Sequence, residues 1–126
     1  AHAFLRLSAI TGNQHLAKHA RDILALLARV APSAATGFCN AISAGLLSQE
    51  GAIEIVIPGT NPSMLSTVRS QWIPNAVLAW GEATDSPLWQ GREEGKAYVC
   101  RNHECLLPAN SDSELLERIA TSSFGE

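Results

Sequence analysis

Hydrophobic positions in residues 1–50 recur at helical intervals. The opening helix is expected to end at Gly12, and Asn13 can cap the next helix through its side-chain oxygen. An apolar stripe with three- and four-residue steps predicts this second helix over residues 14–30, because such spacing places side chains on one face. Pro32 ends it, since the residue before a proline is pushed out of the helical conformation. The stripe consists of Leu16, Ala20, Ile23, Leu24 and Leu27.

A third helix is predicted over residues 34–48, with Ser33 as its N-cap. Cys39 is expected to be buried in this helix as a small hydrophobic side chain. Small residues along the helix would allow a neighbouring helix to approach closely. The predicted buried face consists of Phe38, Ala41, Ile42, Gly45 and Leu46.

After Gly51 the periodicity changes from helical to strand-like. Residues 53–57 are a β-branched run that ends at a Pro-Gly pair, which predicts a mostly buried strand. Asn61 is expected to cap the following helix, which has a proline at its first position. Residues 77–80 are a second short apolar strand, and a strand–helix–strand unit with tight connections predicts a right-handed parallel βαβ unit. The helix between them is predicted to place Leu65, Val68 and Trp72 on one face.

The last part of the chain predicts a hairpin and a closing helix. Its elements are a loop (81–95), a third strand (97–100), a turn (101–104) and a returning strand (105–107). A helix over 113–120, capped by Ser111 or Asp112, closes the chain. The predicted fold class is therefore mixed α/β. Antiparallel helices in residues 1–50 pack on a small βα-β-ββα unit in residues 51–126, whose strand order stays open.

Composition excludes several classes of protein. The chain has 126 residues, 46% of them hydrophobic, and 9 Lys+Arg against 12 Asp+Glu give a net charge of -3. This balance argues against disorder and against a basic surface for nucleic acid or membranes, so neither partner is expected. The longest uncharged stretch, residues 30–49, is too polar to span a bilayer. No signal-peptide pattern is visible, and the uncapped helix at the start leads us to expect a fragment of a larger protein.

The chain contains three cysteines. An odd number does not form the disulfide framework of a small secreted protein, so a cytoplasmic, reducing location is expected. If Asn102 and His103 form a two-residue turn, Cys100 and Cys105 face each other across the hairpin, near the lower distance limit for a disulfide. Three interpretations stay open: two structural thiols in a small core, a reversible disulfide that acts as a redox pair, or a zinc site near His103 with unusual spacing.

The segment with these two cysteines reads AYVCRNHECLLP at positions 97–108, and an acid-capped helix follows it. It resembles the end of the YyaL type of thioredoxin-domain-containing proteins, whose animal members are called spermatogenesis-associated proteins. Other segments are similar to the same C-terminal region, so the resemblance covers essentially the whole chain. These segments are 5–12, 31–33, 54–59 and 72–75.

The resemblance implies a long parent chain. An N-terminal thioredoxin-like domain would be followed by a helical toroid similar to that of N-acylglucosamine 2-epimerase and by a small closing α/β segment. Residues 1–50 would be the last hairpins of the toroid, and residues 51–126 would be the closing segment, which could be a degenerate thioredoxin-like fold. The family's C-x-x-C motif has no counterpart in this chain. The parent's thioredoxin-like domain would be an exchange partner for Cys100 and Cys105.

Other candidate sites have simpler structural interpretations. His15 and His19 share a helix face, but no third metal ligand is in view, and an exposed polar face is favoured. The Gly59–Pro62 turn between a strand and a helix could hold an anion, although a plain turn and cap is favoured. The tryptophans are expected to be structural anchors rather than a sugar platform. They are Trp72, Trp80 and Trp89.

Three hypotheses about function follow. The first is a non-catalytic structural and interaction segment without metal or cofactor, which contacts the remainder of its parent chain and self-associates through residues 1–50. The second is a redox-active pair, Cys100 and Cys105, coupled to the parent's thioredoxin domain. The third is part of a carbohydrate-binding or sugar-modifying toroid. Whether the parent is an enzyme stays open.

Overall fold

The computed structural model describes residues 1–102 and 104–123. The chain forms two compact units, unit 1 (Ala1–Ala52) and unit 2 (Ile53–Glu126). The described residues form five α-helices and one four-stranded mixed sheet, which confirms the predicted mixed α/β class. None of the helices in these residues is long and apolar enough to cross a membrane.

The first unit contains three α-helices, α1 (His2–Thr11), α2 (Gln14–Leu27) and α3 (Cys39–Glu50). Its first helix boundary lies where the sequence predicts it. Gly12 ends α1 in the left-handed conformation, with a φ of 71°. The Asn13 side chain then accepts a hydrogen bond of 2.9 Å from the backbone N–H of His15, which caps α2 as predicted.

The connection between α2 and α3 differs from the prediction. α2 ends at Leu27 rather than at residue 30, and α3 begins at Cys39 rather than at residue 34. Pro32 lies in the first of two 3₁₀ turns that fill this stretch, Ala31–Ser33 and Ala35–Phe38. A proline has no N–H to continue an α-helical ladder, whereas a short 3₁₀ turn tolerates it. The predicted Ser33 cap is wrong, because its hydroxyl donates to the carbonyl of Val30 at 2.7 Å.

The buried face of α3 also differs from the prediction. Ala44 and Leu47 are buried, whereas Ile42 and Leu46 are 47% and 54% exposed. Apolar and small residues surround α3 on all sides, so periodicity does not select one face, and contacts with α1 and α2 decide it. The predicted burial of Cys39 is wrong as well. It is an exposed free cysteine at the first position of α3, where its thiol contacts the preceding 3₁₀ turn.

The second unit consists of β1 (Ile53–Pro58), α4 (Pro62–Arg69), β2 (Ala76–Gly81), β3 (Tyr98–Arg101), β4 (Glu104–Cys105) and α5 (Asp112–Ser123). It is built around β1, which is buried along its whole length. β1 pairs with β2 in parallel and with β3 antiparallel, so the predicted parallel βαβ unit is confirmed. β4 pairs antiparallel with β3 at the edge, and the strand order is β2-β1-β3-β4.

The sheet has two differently covered faces because side chains alternate along each strand. One face packs against α4 and α5 and contains most of the core. The other face is covered by the β2–β3 loop, which we define as residues 82–97. The core of the helix-covered face includes Ile53, Ile55, Ile57, Met64, Val68, Val99, Leu115 and Ile119, and that of the loop-covered face consists of Val56, Leu88, Tyr98 and Cys100.

Side-chain caps fix the starts of both helices in this unit. Asn61 accepts a hydrogen bond of 3.1 Å from the N–H of Met64, as predicted for α4. Of the two candidates for α5, Ser111 is the cap, because its hydroxyl accepts from the N–H of Glu114. The Glu114 carboxylate accepts in turn from the backbone N–H of Asn110 at 2.7 Å, and this hydrogen bond lowers the pKa of Glu114.

Two segments of this unit differ from the prediction. α4 ends at Arg69, so Trp72 lies beyond the helix and is 88% exposed, and Met64 occupies the buried face in its place. β4 is only Glu104–Cys105, and Leu107, predicted to belong to it, is 75% exposed. In both places a proline follows within two residues. Pro108 has no N–H to donate to a strand ladder, so the pairing of β4 does not extend past Leu107. α4 ends five residues before Pro74, and the proline does not explain its end.

Candidate functional site

The hairpin brings Cys100 and Cys105 together as predicted. The two residues are register partners across β3 and β4, and Arg101 and Glu104 are the next pair towards the turn. The Leu106 N–H donates to the Val99 carbonyl at 3.0 Å, so the cysteines lie in the intervening position where side chains come closest. They form a disulfide, with their Cα atoms 4.0 Å apart. Of the three interpretations left open, the structure therefore contains the disulfide, while His103 lies outside the described residues.

The two sulfurs of this disulfide belong to residues of very different exposure. Cys100 is 1% exposed and belongs to the loop-covered core of the sheet, together with Val56, Leu88 and Tyr98. Cys105 lies on the edge strand β4 and is exposed. A reagent from solvent therefore reaches the Cys105 side of the bond.

The guanidinium group of Arg92 lies against both sulfurs. Its Nη2 atom is 3.3 Å from Sγ of Cys100 and 3.1 Å from Sγ of Cys105. Its Nε donates to the carbonyl of Leu88 at 3.1 Å, and its Cζ lies 4.6 Å from the ring centroid of Tyr98. A guanidinium stays protonated at all physiological pH values. A fixed positive charge therefore stands beside the disulfide, and a cation in this position stabilises a thiolate over a thiol.

Local contacts of the β2–β3 loop position Arg92. Ser86 caps the 3₁₀ turn Pro87–Trp89, which ends three residues before Arg92. The Trp89 indole N–H donates to the Thr84 hydroxyl at 2.9 Å, which ties this turn to the beginning of the loop. These contacts hold the segment from which the Arg92 side chain extends.

The chain just after Arg92 is fixed as well. The backbone N–H of Glu93 donates to the hydroxyl of the buried Tyr98 at 3.0 Å. Glu93 also pairs with Lys96 at 2.5 Å, and this hydrogen bond lowers the pKa of Glu93 and raises that of Lys96. Both charged groups lie on the surface, so the pair contributes little to stability. The contact with Tyr98 is the one that anchors this end of the loop.

A buried carboxyl group lies next to Cys100 on the central strand. Glu54 is 6% exposed and is the register partner of Cys100 between β1 and β3. Alternation along β1 places it on the same face as Val56, under the β2–β3 loop. Residues that are directly opposite in an antiparallel pair have Cβ atoms roughly 5 Å apart. Cys100 therefore lies between a group that carries positive charge, Arg92, and one that can carry negative charge, Glu54.

The other candidate sites show no comparable arrangement. His15 and His19 are exposed, and the His19 ring lies 6.0 Å from that of Phe4. In residues 1–102 and 104–123, no group of three or more His, Cys, Asp and Glu side chains is placed to hold a metal ion. At the turn after β1, the carboxyl group of Glu94 lies so close to Gly59 that an added Cβ would be 3.0 Å from it. An acidic side chain in this position disfavours an anion.

The three tryptophans differ in exposure and in what they contact. Trp72 and Trp80 are 88% and 53% exposed, and Arg69 lies over the ring of Trp80 at 5.5 Å. Trp89 is partly buried and packs against the core of the loop-covered face. Of the three, only Trp89 acts as the structural anchor that the sequence predicts.

Sequence reasoning missed Arg92, Tyr98 and Glu54 as parts of this site. Glu54 carries a visible signal, since it is the one charge within a β-branched run predicted to be buried. Arg92 carries none, because it lies in a charged loop segment that reads as a solvated surface. Comparison with family models, with curated proteins and with solved structures found no match for the chain.

Proposed function

We propose that this chain carries a reversible thiol–disulfide exchange site, with Cys100 and Cys105 as the redox pair. The observation that carries the proposal is the guanidinium of Arg92, which lies within 3.3 Å of both sulfurs. A purely structural disulfide needs no cation, whereas exchange generates a thiolate at each step and gains from one. The exposure of Cys105 gives a thiol reagent access to the bond.

The reaction would be a two-electron reduction. A dithiol supplies two electrons and two protons, so that the Cys100–Cys105 bond becomes two thiols and the dithiol becomes a disulfide. The reverse reaction restores the bond. We also propose a cytoplasmic location, which the odd cysteine count supports. Under such reducing conditions a disulfide is usually transient and tied to redox function rather than to structure.

Thiol titration of the native protein tests this function. In a Cys39→Ser background, we expect no titratable thiol as purified and two after incubation with dithiothreitol without denaturant. After dithiothreitol is removed and oxidised glutathione, a stronger oxidant, is added, we expect none again. Cys39 is the remaining free cysteine, so its replacement makes the count depend on the pair alone. A disulfide that dithiothreitol reduces only in denaturant, or thiols that do not re-form the bond, would contradict the proposal.

The proposed lineage remains that of the YyaL-type thioredoxin-domain-containing proteins. Unit 2 would be a degenerate thioredoxin-like fold, supported by its parallel βαβ unit, the hairpin and closing helix that follow, and the packing of α4 and α5 together. Unit 1 would be the last helices of an α/α toroid, supported by its three consecutive helices. The redox partner of Cys100 and Cys105 would then be the thioredoxin-like domain of the parent chain.

A second candidate function, interaction through residues 1–50, is favoured by the apolar surface of unit 1. A groove of 370 Å³ between α2 and α3 is lined without a single charged residue. Ile42, which belongs to this lining, is 47% exposed. Apolar surface of this kind is typical of a protein–protein contact. The groove is lined by Leu24, Ala25, Leu27, Ala28, Ala31, Ala41, Ile42, Gly45, Ser48 and Gln49.

Light scattering tests this second function. We expect the 126-residue chain to form a dimer through this groove, because burying apolar surface is favourable. Ile42→Lys, which places a charge in the groove, is expected to give a monomer. Leu107→Lys is the matched control, since it adds the same charge at an exposed leucine of unit 2. A monomer at high concentration without any substitution would exclude self-association.

A further inference from the structure

We propose that a dithiol reductant attacks the disulfide at Cys105, that Cys100 leaves as the thiolate, and that Arg92 is a catalytic residue that stabilises this thiolate. The inference rests on the proposed exchange function and specifies its direction, its reductant class and a third residue. Three observations carry it: the unequal exposure of the cysteines, the contacts of Arg92, and the register of the hairpin.

The point of attack follows from exposure. A thiolate approaches a disulfide along the sulfur–sulfur axis, from the side opposite the sulfur that leaves. Cys100 is 1% exposed and lies in the core of the loop-covered face together with Leu88, so a reagent from solvent does not reach it. Cys105 lies on the edge strand and is exposed. The incoming thiolate therefore bonds to Sγ of Cys105.

The departure of Cys100 requires a counter-charge. A buried thiolate beside the Glu54 carboxyl group would be costly, because the site is removed from water and a carboxylate there would repel it. Nη2 of Arg92 lies 3.3 Å from the departing sulfur and offsets both costs. A thiol of lower pKa leaves a disulfide faster. Leu88 and Tyr98 hold the guanidinium in place, so it does not have to reorganise during the reaction.

The electrons balance in two displacements. In the first, a thiolate of the reductant forms a bond to Sγ of Cys105, the Cys105–Cys100 bond breaks, and its electron pair remains on Sγ of Cys100. In the second, the other thiol of the reductant loses its proton to solvent and attacks the first reductant sulfur. The mixed bond breaks, Cys105 leaves as a thiolate, and each cysteine takes a proton from solvent.

The geometry of the hairpin selects a dithiol over a monothiol. In the mixed disulfide, the Cys100 thiolate stays directly opposite Cys105, at a position whose Cα lies 4.0 Å away in the closed form. A nucleophile held in place reacts as if it were present at a very high concentration. Cys100 therefore expels a monothiol and re-forms the disulfide before a second monothiol arrives. A dithiol completes the reduction because its second thiol is also held next to the mixed disulfide and competes with Cys100 for it.

Reduction kinetics in the Cys39→Ser background test the proposal. We expect dithiothreitol to reduce the pair at least about tenfold faster than glutathione at equal thiolate concentration, since the effective concentration of Cys100 is high. Arg92→Gln is expected to slow the reaction with dithiothreitol about threefold to tenfold and to raise the pH at which the reduced pair is alkylated, whereas Arg92→Lys restores part of the rate. Arg69→Gln, which removes a cation from Trp80 in the same unit, is the matched control and is expected to react at the unchanged rate.

Mass spectrometry locates the glutathione adduct in the protein without substitution at Arg92. Because Cys100 expels a monothiol quickly, the mixed disulfide is a small fraction, so it is formed at high glutathione concentration and then trapped by acid. An adduct on Cys105 is expected. An adduct on Cys100, or an alkylation profile that Arg92→Gln does not shift, would overturn the assignment while leaving the exchange function intact. If instead neither reductant opens the disulfide in the folded protein, the exchange function itself fails. The two failures are therefore distinguishable.

Discussion

Replacement of Ile55 by alanine is expected to lower the free energy of unfolding of unit 2 by about 4 kcal/mol. Ile55 is fully buried, and it lies at the centre of β1 between Leu78 on β2 and Val99 on β3. The substitution removes apolar contacts and leaves a cavity that strands paired on both sides cannot close. The loss is large compared with the total stability of a small unit.

Urea denaturation followed by tryptophan fluorescence measures this loss, because all three tryptophans lie in unit 2. Leu107→Ala is the matched control. It removes a large aliphatic side chain that is 75% exposed, and it is expected to change the free energy by less than about 0.5 kcal/mol. A loss below about 1 kcal/mol for Ile55→Ala would show that the sheet does not have the core described above.

Removal of the disulfide is expected to destabilise unit 2 by an amount that depends on which cysteine is replaced. The bond closes a short loop, with a sequence separation of 5 residues. Loss of such a cross-link releases conformational entropy in the unfolded chain and costs about 2 kcal/mol. Cys105→Ala is expected to cost this amount. Cys100→Ala is expected to cost about 3 kcal/mol, because the residue is 1% exposed and its truncation also leaves a void.

Denaturation with and without dithiothreitol separates the two contributions. For each variant, the reductant should leave the urea concentration at the unfolding midpoint unchanged, because no disulfide is present. The free energy of unfolding of the unsubstituted protein should fall by about 2 kcal/mol when it is reduced. In the reduced, unsubstituted protein, Arg92 lies beside two thiols. Its free energy of unfolding in dithiothreitol therefore measures the stability of the reduced site. If the reductant does not shift the unfolding midpoint of the unsubstituted protein, the disulfide makes no contribution to its stability.

Elements held by neighbours in the sequence were predicted with little error. The β-branched run from Ile53 predicts β1, and Asn61 predicts the start of α4 at the residue where it occurs. The pairing of Cys100 with Cys105 follows from the length of the turn between them. In each case the interaction that fixes the element joins residues only a few positions apart, so a short stretch of sequence is enough to predict it.

Features that depend on distant contacts were predicted less well. The buried face of α3 was wrong because α1 and α2, rather than the helix's own pattern, decide which side is covered. The sequence predicts Trp72 on the same helix face as Val68, but α4 ends at Arg69 and Trp72 is exposed. Cys39 was expected to be buried, and the 3₁₀ turns ahead of α3 leave it at an exposed helix start.

The cysteine pair was visible in the chain, whereas its chemical environment was not. Hairpin spacing is a local property, so it indicated that the two sulfurs meet. The strand order β2-β1-β3-β4 brings Glu54 beside Cys100, and folding of the β2–β3 loop brings Arg92 onto the sulfurs. These contacts join different segments of the chain, and no hydrophobic periodicity in the sequence predicts that they meet. They form only when burial of the sheet's two faces draws the strands and the loop together, because the free energy of that burial depends on the whole unit.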